Sequence, residues 1–160
     1  MHLNGRKTLT LLISLALFLA GSLSSTGQQR QGKARSHDRR SSTLKPGAEY
    51  SSLLDKLRAS GANVEATREE VSQPFFPVKA RVVKVNGVGI QVFEFANAAA
   101  ADAEAKRVAP NGATIGDSKV TWMASPHFFK QGNLIVIYVG DDQTLLGFLK
   151  TALGAQSAGR

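Results

Sequence analysis

The sequence predicts an α+β fold, a two-layer sandwich in which a mostly antiparallel sheet carries its helices on one face. Strand-like segments follow one another through short turns more often than through helices, and such connections join antiparallel neighbours. One of these turns contains Asn86-Gly87 between two β-branched runs, a dipeptide typical of a two-residue hairpin. The predicted order is α-β-β-β-α-β-β-α, and the second sheet face is either solvated or a binding surface.

The first half of the predicted domain contains one helix and three strands. A helix is predicted over residues 49–60, because its apolar residues recur at spacings of three and four. These apolar residues are Tyr50, Leu53, Leu54 and Leu57. Residues 63–71 have the alternation of a weak strand, and residues 79–85 and 90–95 are expected to form the two arms of the hairpin.

The next part of the domain adds a helix and a broken strand. An alanine-rich helix over residues 98–108 is expected to begin at Asn97, whose side chain is a favourable helix cap. A strand is predicted over residues 120–124 and contains the single tryptophan of the chain. Pro126 interrupts this strand because proline has no backbone N–H to donate, and the strand resumes at residues 127–129.

The most apolar segment of the domain, residues 134–139, predicts a central strand buried on both faces. A last helix follows, capped by Asp141 or Asp142. Residues 155–160 show no apolar period and are predicted to be a frayed tail. A single domain with one core is therefore expected over residues 46–154.

Positive charge is concentrated at the N-terminal end of the chain. The 160 residues include 20 Lys and Arg against 12 Asp and Glu, a net charge of +8. Residues 1–45 hold eight of the cations and one anion, so they carry +7 and the remainder carries +1. The basic character of the chain is therefore a property of this terminal segment and not a reason to predict a nucleic-acid-binding domain.

Residues 1–24 have the order of a secretory signal peptide. Arg6 and Lys7 precede an apolar run over residues 9–20, and small residues follow it. If the run is extended to Leu23, it contains 15 residues. A helix of that length spans roughly 22 Å, which is shorter than the roughly 30 Å hydrocarbon core of a bilayer. We therefore predict cleavage without a remaining transmembrane span, and export to the periplasm, the cell surface or the medium.

Residues 25–45 are expected to form a disordered basic tether, since they are rich in Ser, Gln, Gly, Lys and Arg and have no apolar period. One interpretation is weak adhesion to an anionic surface, because each basic residue near such a surface contributes about 1 kcal/mol. The preferred interpretation is an inert spacer. No aromatic residues are interleaved with the basic ones, so specific nucleic-acid binding is not predicted.

Ser125, His127 and Asp141 together provide the residue types of a serine hydrolase. The local pattern does not support that activity, because the sequence has no Gly-x-Ser-x-Gly elbow and a proline separates the serine from the histidine. We therefore predict no catalytic site and retain a small hydrolase that uses His127, Ser125 and an acid as an alternative.

No metal site and no cofactor are predicted. The chain has no cysteine, and its predicted domain contains a single histidine, so no pair of nitrogen or sulfur ligands occurs at metal-binding spacing. The adjacent acids Asp141 and Asp142 lack the alternating acidic loop of a calcium site, and a helix-capping role explains them.

Aromatic residues are the candidates for a ligand or partner surface. Adjacent residues on a strand point to opposite faces, so one ring of each Phe-Phe pair is expected in the core. The other ring either packs on the opposite face or is exposed beside a proline as an apolar patch. With the tryptophan and the neighbouring histidine, the candidates are Phe75, Phe76, Trp122, His127, Phe128 and Phe129.

Two parts of the chain resemble known bacterial sequences. The residues Leu19-Ala20-Gly21-Ser22 are similar to a lipoprotein signal, but Ser22 stands where that signal has its cysteine, so lipidation is not expected. The C-terminal half resembles small exported or lipoprotein-type bacterial domains of unassigned function, a likeness that would cover residues 46–154. The residues that carry it are Trp122, Pro126-His127-Phe128-Phe129, the run from Leu134 to Gly140, Asp141-Asp142 and the segment from Leu145 to Gly154.

That resemblance implies an exported α+β unit and no particular activity. We expect an exported, non-catalytic binding or interaction module whose partner is a protein or a small ligand. The alternatives are the small hydrolase described above and a protein that adheres to polyanions or membrane surfaces through its tether.

Overall fold

A computed structural model describes residues 45–160. The predicted signal peptide lies outside the described residues, as does the predicted tether except for its last residue, Lys45. The described chain contains three helices and eight strands. In chain order they are α1 (Ala48–Ala59), β1 (Val64–Val71), β2 (Ala80–Val85), β3 (Val88–Glu94), α2 (Ala98–Ala105), β4 (Thr114–Ile115), β5 (Ser118–Lys119), β6 (Pro126–Gln131), β7 (Leu134–Val139), α3 (Gln143–Leu153) and β8 (Gln156–Gly159).

Six strands form one antiparallel sheet in the order β1-β2-β3-β7-β6-β8, and the predicted α+β class is confirmed. The two-residue strands β4 and β5 pair separately as a small hairpin. Without that hairpin the element order is α-β-β-β-α-β-β-α-β. The strand predicted to be central is β7, which lies between β3 and β6.

The predicted hairpin between β2 and β3 is confirmed. Val85 pairs with Val88, and the two residues between them have positive φ angles of 50° at Asn86 and 82° at Gly87. Both central positions of a type I′ turn require positive φ, which asparagine tolerates and glycine adopts without strain. The Asn86 side chain also accepts a hydrogen bond from the Asn63 backbone N–H at 2.8 Å, so the turn anchors the chain leading into β1.

One face of the sheet is covered by α1 and α3, as the two-layer prediction requires. Both helices bury their leucines against alternate residues of β2, β3 and β7. The sheet residues on this face include Val83, Val85, Ile90, Val92, Leu134 and Val136. Their spacing of two along each strand is the period that places side chains on one face.

The opposite face is also covered, and there the structure differs from the expected arrangement of all helices on one face. Helix α2 packs on this second face through Ala101, together with the aromatic residues of the segment before β2. The physical reason lies in the strands, because Ile135 and Ile137 of β7 present an apolar second face that must be kept from water.

The last residues are ordered, and the prediction of a frayed tail over residues 155–160 is wrong. Strand β8 pairs antiparallel with β6, so Phe128 lies opposite Ala158. The Ser157 hydroxyl donates to the Phe128 carbonyl at 3.0 Å, and Ala158 is buried. Backbone pairing stabilises this strand although its small and polar side chains provide almost no apolar pattern.

The prediction of a strand over residues 120–124 is also wrong. These residues form an irregular segment, and the strand begins only at Pro126 as β6. Proline is tolerated at the first position of a strand because the ladder does not need its missing N–H. As a result Trp122 belongs to a connecting segment and not to the sheet, and it lies beside the start of β6.

The first turn of α1 is fastened to the sheet by two carboxylates. Glu94 of β3 accepts a hydrogen bond from the Gly47 backbone N–H at 2.8 Å, and Glu49 accepts one from the Asn133 backbone N–H at 2.6 Å. Glu94 also pairs with Arg81, whose guanidinium lies 3.6 Å from the centre of the Tyr50 ring. The helix therefore begins at a fixed place without a side-chain cap of its own.

Candidate binding cleft

His127 is buried on the sheet, and its ring is held on both nitrogens. Nδ1 lies 2.9 Å from the Gln156 side-chain oxygen, and Nε2 lies 2.9 Å from the Gly140 carbonyl oxygen. A carbonyl oxygen only accepts, so Nε2 carries a proton. The ring also stacks on Tyr138 with a centroid separation of 5.8 Å. His127 therefore joins β8 to the end of β7.

The residue types of a hydrolase are present but are not assembled. Neither ring nitrogen of His127 bonds to Ser125 or Asp141 within residues 45–160, because Gln156 and Gly140 occupy both positions. Asp141 is exposed, and its backbone carbonyl accepts a hydrogen bond from the Gln143 side chain. A triad requires the base to reach the nucleophile while the acid orients the base, and neither contact is formed here.

The acid next to Asp141 has a structural role that the structure resolves. Asp142 is the N-cap of α3, where its side chain accepts hydrogen bonds from the Thr144 backbone N–H at 2.8 Å and from the Leu145 backbone N–H at 3.2 Å. Its own backbone N–H donates to the Tyr138 hydroxyl at 3.0 Å. The predicted helix cap at Asp141 or Asp142 is therefore Asp142.

The phenylalanines proposed for a partner surface are buried. Phe128 and Phe129 lie on opposite faces of the sheet, as expected for neighbours on a strand, and both faces are core. Phe75 and Phe76 pack together on the second face with their rings 5.1 Å apart. None of these four side chains contributes an exposed patch, so Trp122 is the candidate aromatic residue that reaches the surface.

Trp122 is half-buried and lines a cleft of about 310 Å³ at the start of β6. Its indole N–H donates to the Gly112 carbonyl at 2.7 Å. Its ring packs edge-on against Phe128 at 5.8 Å and at a tilt against Phe75 at 6.2 Å. The indole is therefore held in one orientation by buried partners on one side while the other side faces the cleft. Such a rigid aromatic wall is typical of binding sites.

Several polar groups that line this cleft have no partner within residues 45–160. Among residues 45–160, the Ser125 hydroxyl has no hydrogen-bond partner and the Arg160 guanidinium has no acidic partner. The Asn111 side-chain oxygen accepts from the Ala113 backbone N–H at 3.0 Å, which leaves its amide N–H groups for other contacts. Apolar walls and a few available polar groups are the usual composition of a ligand site.

A second cleft, of about 280 Å³, lies between the start of α1 and the turn from β6 to β7. Three of its four polar side chains, those of Glu49, Lys56 and Gln131, already bind one another or the backbone. Glu49 accepts from the Asn133 backbone N–H, and the Lys56 ammonium donates to the Gln131 side-chain oxygen at 2.8 Å. This second cleft is a seam between two elements, and its groups offer less to a ligand than those around Trp122.

Sequence analysis identified Trp122 and Ser125 but missed Asn111, Val120 and Arg160 as parts of the same cleft. Asn111 lies in a turn that has the composition of a helix stop, and Arg160 lies in the supposed frayed tail. No local pattern joins them, because pairing of β8 with β6 brings the end of the described chain beside the tryptophan. The sheet order and the Trp122–Gly112 hydrogen bond together bring these residues to one place.

Neither a metal cluster nor a membrane-spanning helix is found in the described part of the chain. No three His, Cys, Asp or Glu residues between positions 45 and 160 are grouped so as to hold a metal ion. The helices described there lack the combined length and apolar character needed to cross a bilayer.

Comparison with models of protein families, with curated proteins and with solved structures finds no match to this chain. The cleft at Trp122 is therefore the basis for assigning a function to this chain.

Proposed function

We propose that this chain is an exported, non-catalytic binding module whose ligand occupies the cleft at Trp122. The observation that carries this proposal is the contrast between two neighbouring groups. The ring nitrogens of His127 are both engaged inside the protein, whereas Trp122 and the Ser125 hydroxyl line an open cleft. Catalysis would require an accessible His127 side chain, whereas ligand binding requires only the aromatic wall formed by Trp122 and the polar groups at the rim of the cleft.

The cleft is suited to binding because its aromatic wall is already ordered. Trp122 is fixed by a hydrogen bond to Gly112 and by two aromatic neighbours, so little side-chain freedom remains to be lost when a ligand arrives. A side chain immobilised on binding costs about 0.5–1.5 kcal/mol, and a preformed wall avoids that cost.

Export is the second part of the proposal, and it rests on the composition of residues 1–24. A positive start, an apolar run and small residues are read by the secretion machinery as a removable signal. Mass spectrometry of the mature protein tests this part. We expect a new N-terminus between residues 23 and 28 without a lipid adduct, and an intact first residue would contradict it.

The binding proposal is tested through the fluorescence of Trp122, which is the single tryptophan of the chain. A ligand against the indole changes its emission, so a pool of fragment-sized compounds can be screened on the full chain without a label. We expect a subset of fragments to shift or quench the emission in a saturable manner.

Two matched substitutions each add a larger side chain to one of the two clefts. Ala113→Leu narrows the cleft at Trp122, and Ala48→Leu adds the same atoms to the second cleft. We expect Ala113→Leu to weaken binding of the fragments by about tenfold or more, while Ala48→Leu leaves it unchanged. Equal effects of both substitutions, or no saturable change with any fragment, would refute the assignment of the cleft.

A further inference from the structure

We infer that the ligand of the Trp122 cleft is a small carboxylic acid with an apolar body. This inference depends on the proposed binding function and adds the chemical class of the ligand. It starts from three polar groups of the cleft whose N–H or O–H donors have no acceptor within residues 45–160. They are the Ser125 hydroxyl, the Arg160 guanidinium and the Asn111 amide.

A donor-rich rim selects a ligand that accepts hydrogen bonds. Because the Asn111 side-chain oxygen is used by the Ala113 backbone N–H, the amide presents its N–H groups. A guanidinium only donates, and its planar fork matches the two oxygens of a carboxylate. The acceptor group of the ligand is therefore placed near Ser125 and Arg160.

The charge of the residues that line the cleft also favours a carboxylate ligand. Arg160 is the single charged residue among those that line the cleft, and no acidic side chain is among them. The backbone N–H of Arg160 donates to the Pro126 carbonyl at 3.0 Å, which holds the residue at the edge of the cleft. The Arg160 guanidinium has no acidic side-chain partner within residues 45–160, so it can pair with one negative charge on a ligand.

The walls and the size of the cleft define the rest of the ligand. The indole N–H of Trp122 is already bonded to Gly112, so the ring offers an apolar face and no donor. Val120 and Pro126 extend that apolar surface. A volume of about 310 Å³ lies at the lower end of the roughly 300–1,000 Å³ range of ligand sites. The cleft therefore suits a single apolar group and is too small for a dinucleotide.

The test compares two probes that differ only in the acid. N-acetylphenylalanine carries the carboxylate, and N-acetylphenylalaninamide has the same body without the charge. We expect the acid to bind the full chain about tenfold more tightly than the amide, as read by Trp122 emission. Equal affinities of the acid and the amide would overturn the inference.

Two matched substitutions assign the preference to one side chain. Arg160→Gln keeps a polar side chain with N–H donors, although a shorter one, and removes the positive charge, so we expect the preference for the acid to disappear. Arg58→Gln makes the same change of net charge on α1, where Arg58 pairs with Asp55, and we expect the preference to remain. Retention of the full preference in Arg160→Gln would contradict the inference.

The source of the carboxylate is tested with a longer probe. The tripeptide Ala-Ala-Phe presents the same terminal residue on a polypeptide, and we expect its affinity to lie within about threefold of that of the small acid. Binding more than about threefold tighter would overturn the small-acid assignment in favour of a polypeptide terminus. A further outcome separates the two proposals. Equal binding of acid and amide that is lost in Ala113→Leu would refute the carboxylate and leave the binding cleft supported.

Discussion

At the residue scale, His127 is a residue type capable of catalysis that has a structural role in this protein. As the one histidine of the predicted domain it is the natural candidate for acid–base catalysis, yet its ring is buried and bonded to Gln156 and Gly140. A general base must be within reach of the proton that it removes. Here both nitrogens serve to join the last strand to the end of β7, which is a role in stability.

We predict that His127→Ala lowers the free energy of unfolding by about 2–3 kcal/mol, because it leaves the Gly140 carbonyl and the Gln156 amide without their partner in a buried position. Urea unfolding of the purified protein measures this change. The control is Ser125→Ala, which should stay within about 0.5 kcal/mol of the parent protein. A His127→Ala variant as stable as its parent would remove the structural explanation for this residue.

Tyr50 provides a pH-dependent test of the packing of α1. Burial raises the pKa of its hydroxyl above the ordinary value of 10.0, and the positive charges of Arg81 and Arg58 oppose that rise. The folded protein therefore holds this proton more tightly than the unfolded chain does. Its contribution to stability is complete below pH 10 and is lost as the pH rises through the folded-state pKa.

We predict that the free energy of unfolding decreases above pH 10 more steeply in the parent protein than in Tyr50→Phe. Phenylalanine keeps the ring beneath Arg81 but has no proton to lose. Urea midpoints measured at intervals between about pH 9 and pH 11.5 give the comparison. Parallel curves for the two proteins would show that the Tyr50 hydroxyl has the same proton affinity in both states.

At the scale of elements, helices and strands are predicted best where the apolar residues recur with a single clear period. The leucines of α1 and α3, the Asn86-Gly87 turn and the apolar run of β7 each produced the element that the structure contains. The side of the sheet occupied by α2 was not predictable, because its residues are mostly alanine and mark no distinct apolar stripe. Tertiary packing of Ala101 decides its position.

The start of α3 allows a test with adjacent acids. Asp142 accepts hydrogen bonds from two backbone N–H groups of the first turn, whereas the Asp141 side chain forms no hydrogen bond within residues 45–160. We predict that Asp142→Ala costs about 1 kcal/mol of stability and that Asp141→Ala stays within about 0.5 kcal/mol of the parent. Thermal or urea unfolding compares them, and equal losses would show that helix capping is not the role of Asp142.

Strand β8 was not predicted because the contacts that stabilise it are mainly backbone hydrogen bonds, which leave no pattern in the side chains. Its residues are small or polar, and the contacts that hold it are ladder bonds to β6 and the Gly159 backbone N–H bonded to the Pro110 carbonyl at 2.9 Å. Gly159 has a φ of 104°, and a Cβ there would overlap the Pro126 carbonyl oxygen. No side chain fits this position without movement of the strand.

We predict that Gly159→Ala lowers stability by more than about 1 kcal/mol, through strain at positive φ and the clash with Pro126. The control is Gly147→Ala in α3, where a Cβ meets nothing within 4 Å. That change should raise stability by about 0.5–1 kcal/mol, because alanine favours the helix. A neutral Gly159→Ala would favour the frayed tail that the sequence analysis expected.

At the scale of the whole molecule, the candidate site exists because the sheet brings distant segments together. Asn111 lies between α2 and β4, Trp122 lies between β5 and β6, and Arg160 follows β8. The cleft therefore combines two connections with the last residue of the described chain. The sequence analysis selected aromatic residues by type, and four of its six candidates proved to be core phenylalanines. Burial, which sequence cannot assign to a single ring, separated Trp122 from the others.

The most direct measurement of the central claim is amide chemical-shift mapping of the isotope-labelled full chain, titrated with the tightest-binding fragment of the fluorescence screen. Binding in the cleft predicts saturable shifts concentrated in residues 111–126 and at Arg160, with residues 48–56 and 131–132 of the second cleft unchanged. The fragment should remain chemically intact throughout. Shifts concentrated at the second cleft, or conversion of the fragment that depends on His127, would contradict the proposed binding module.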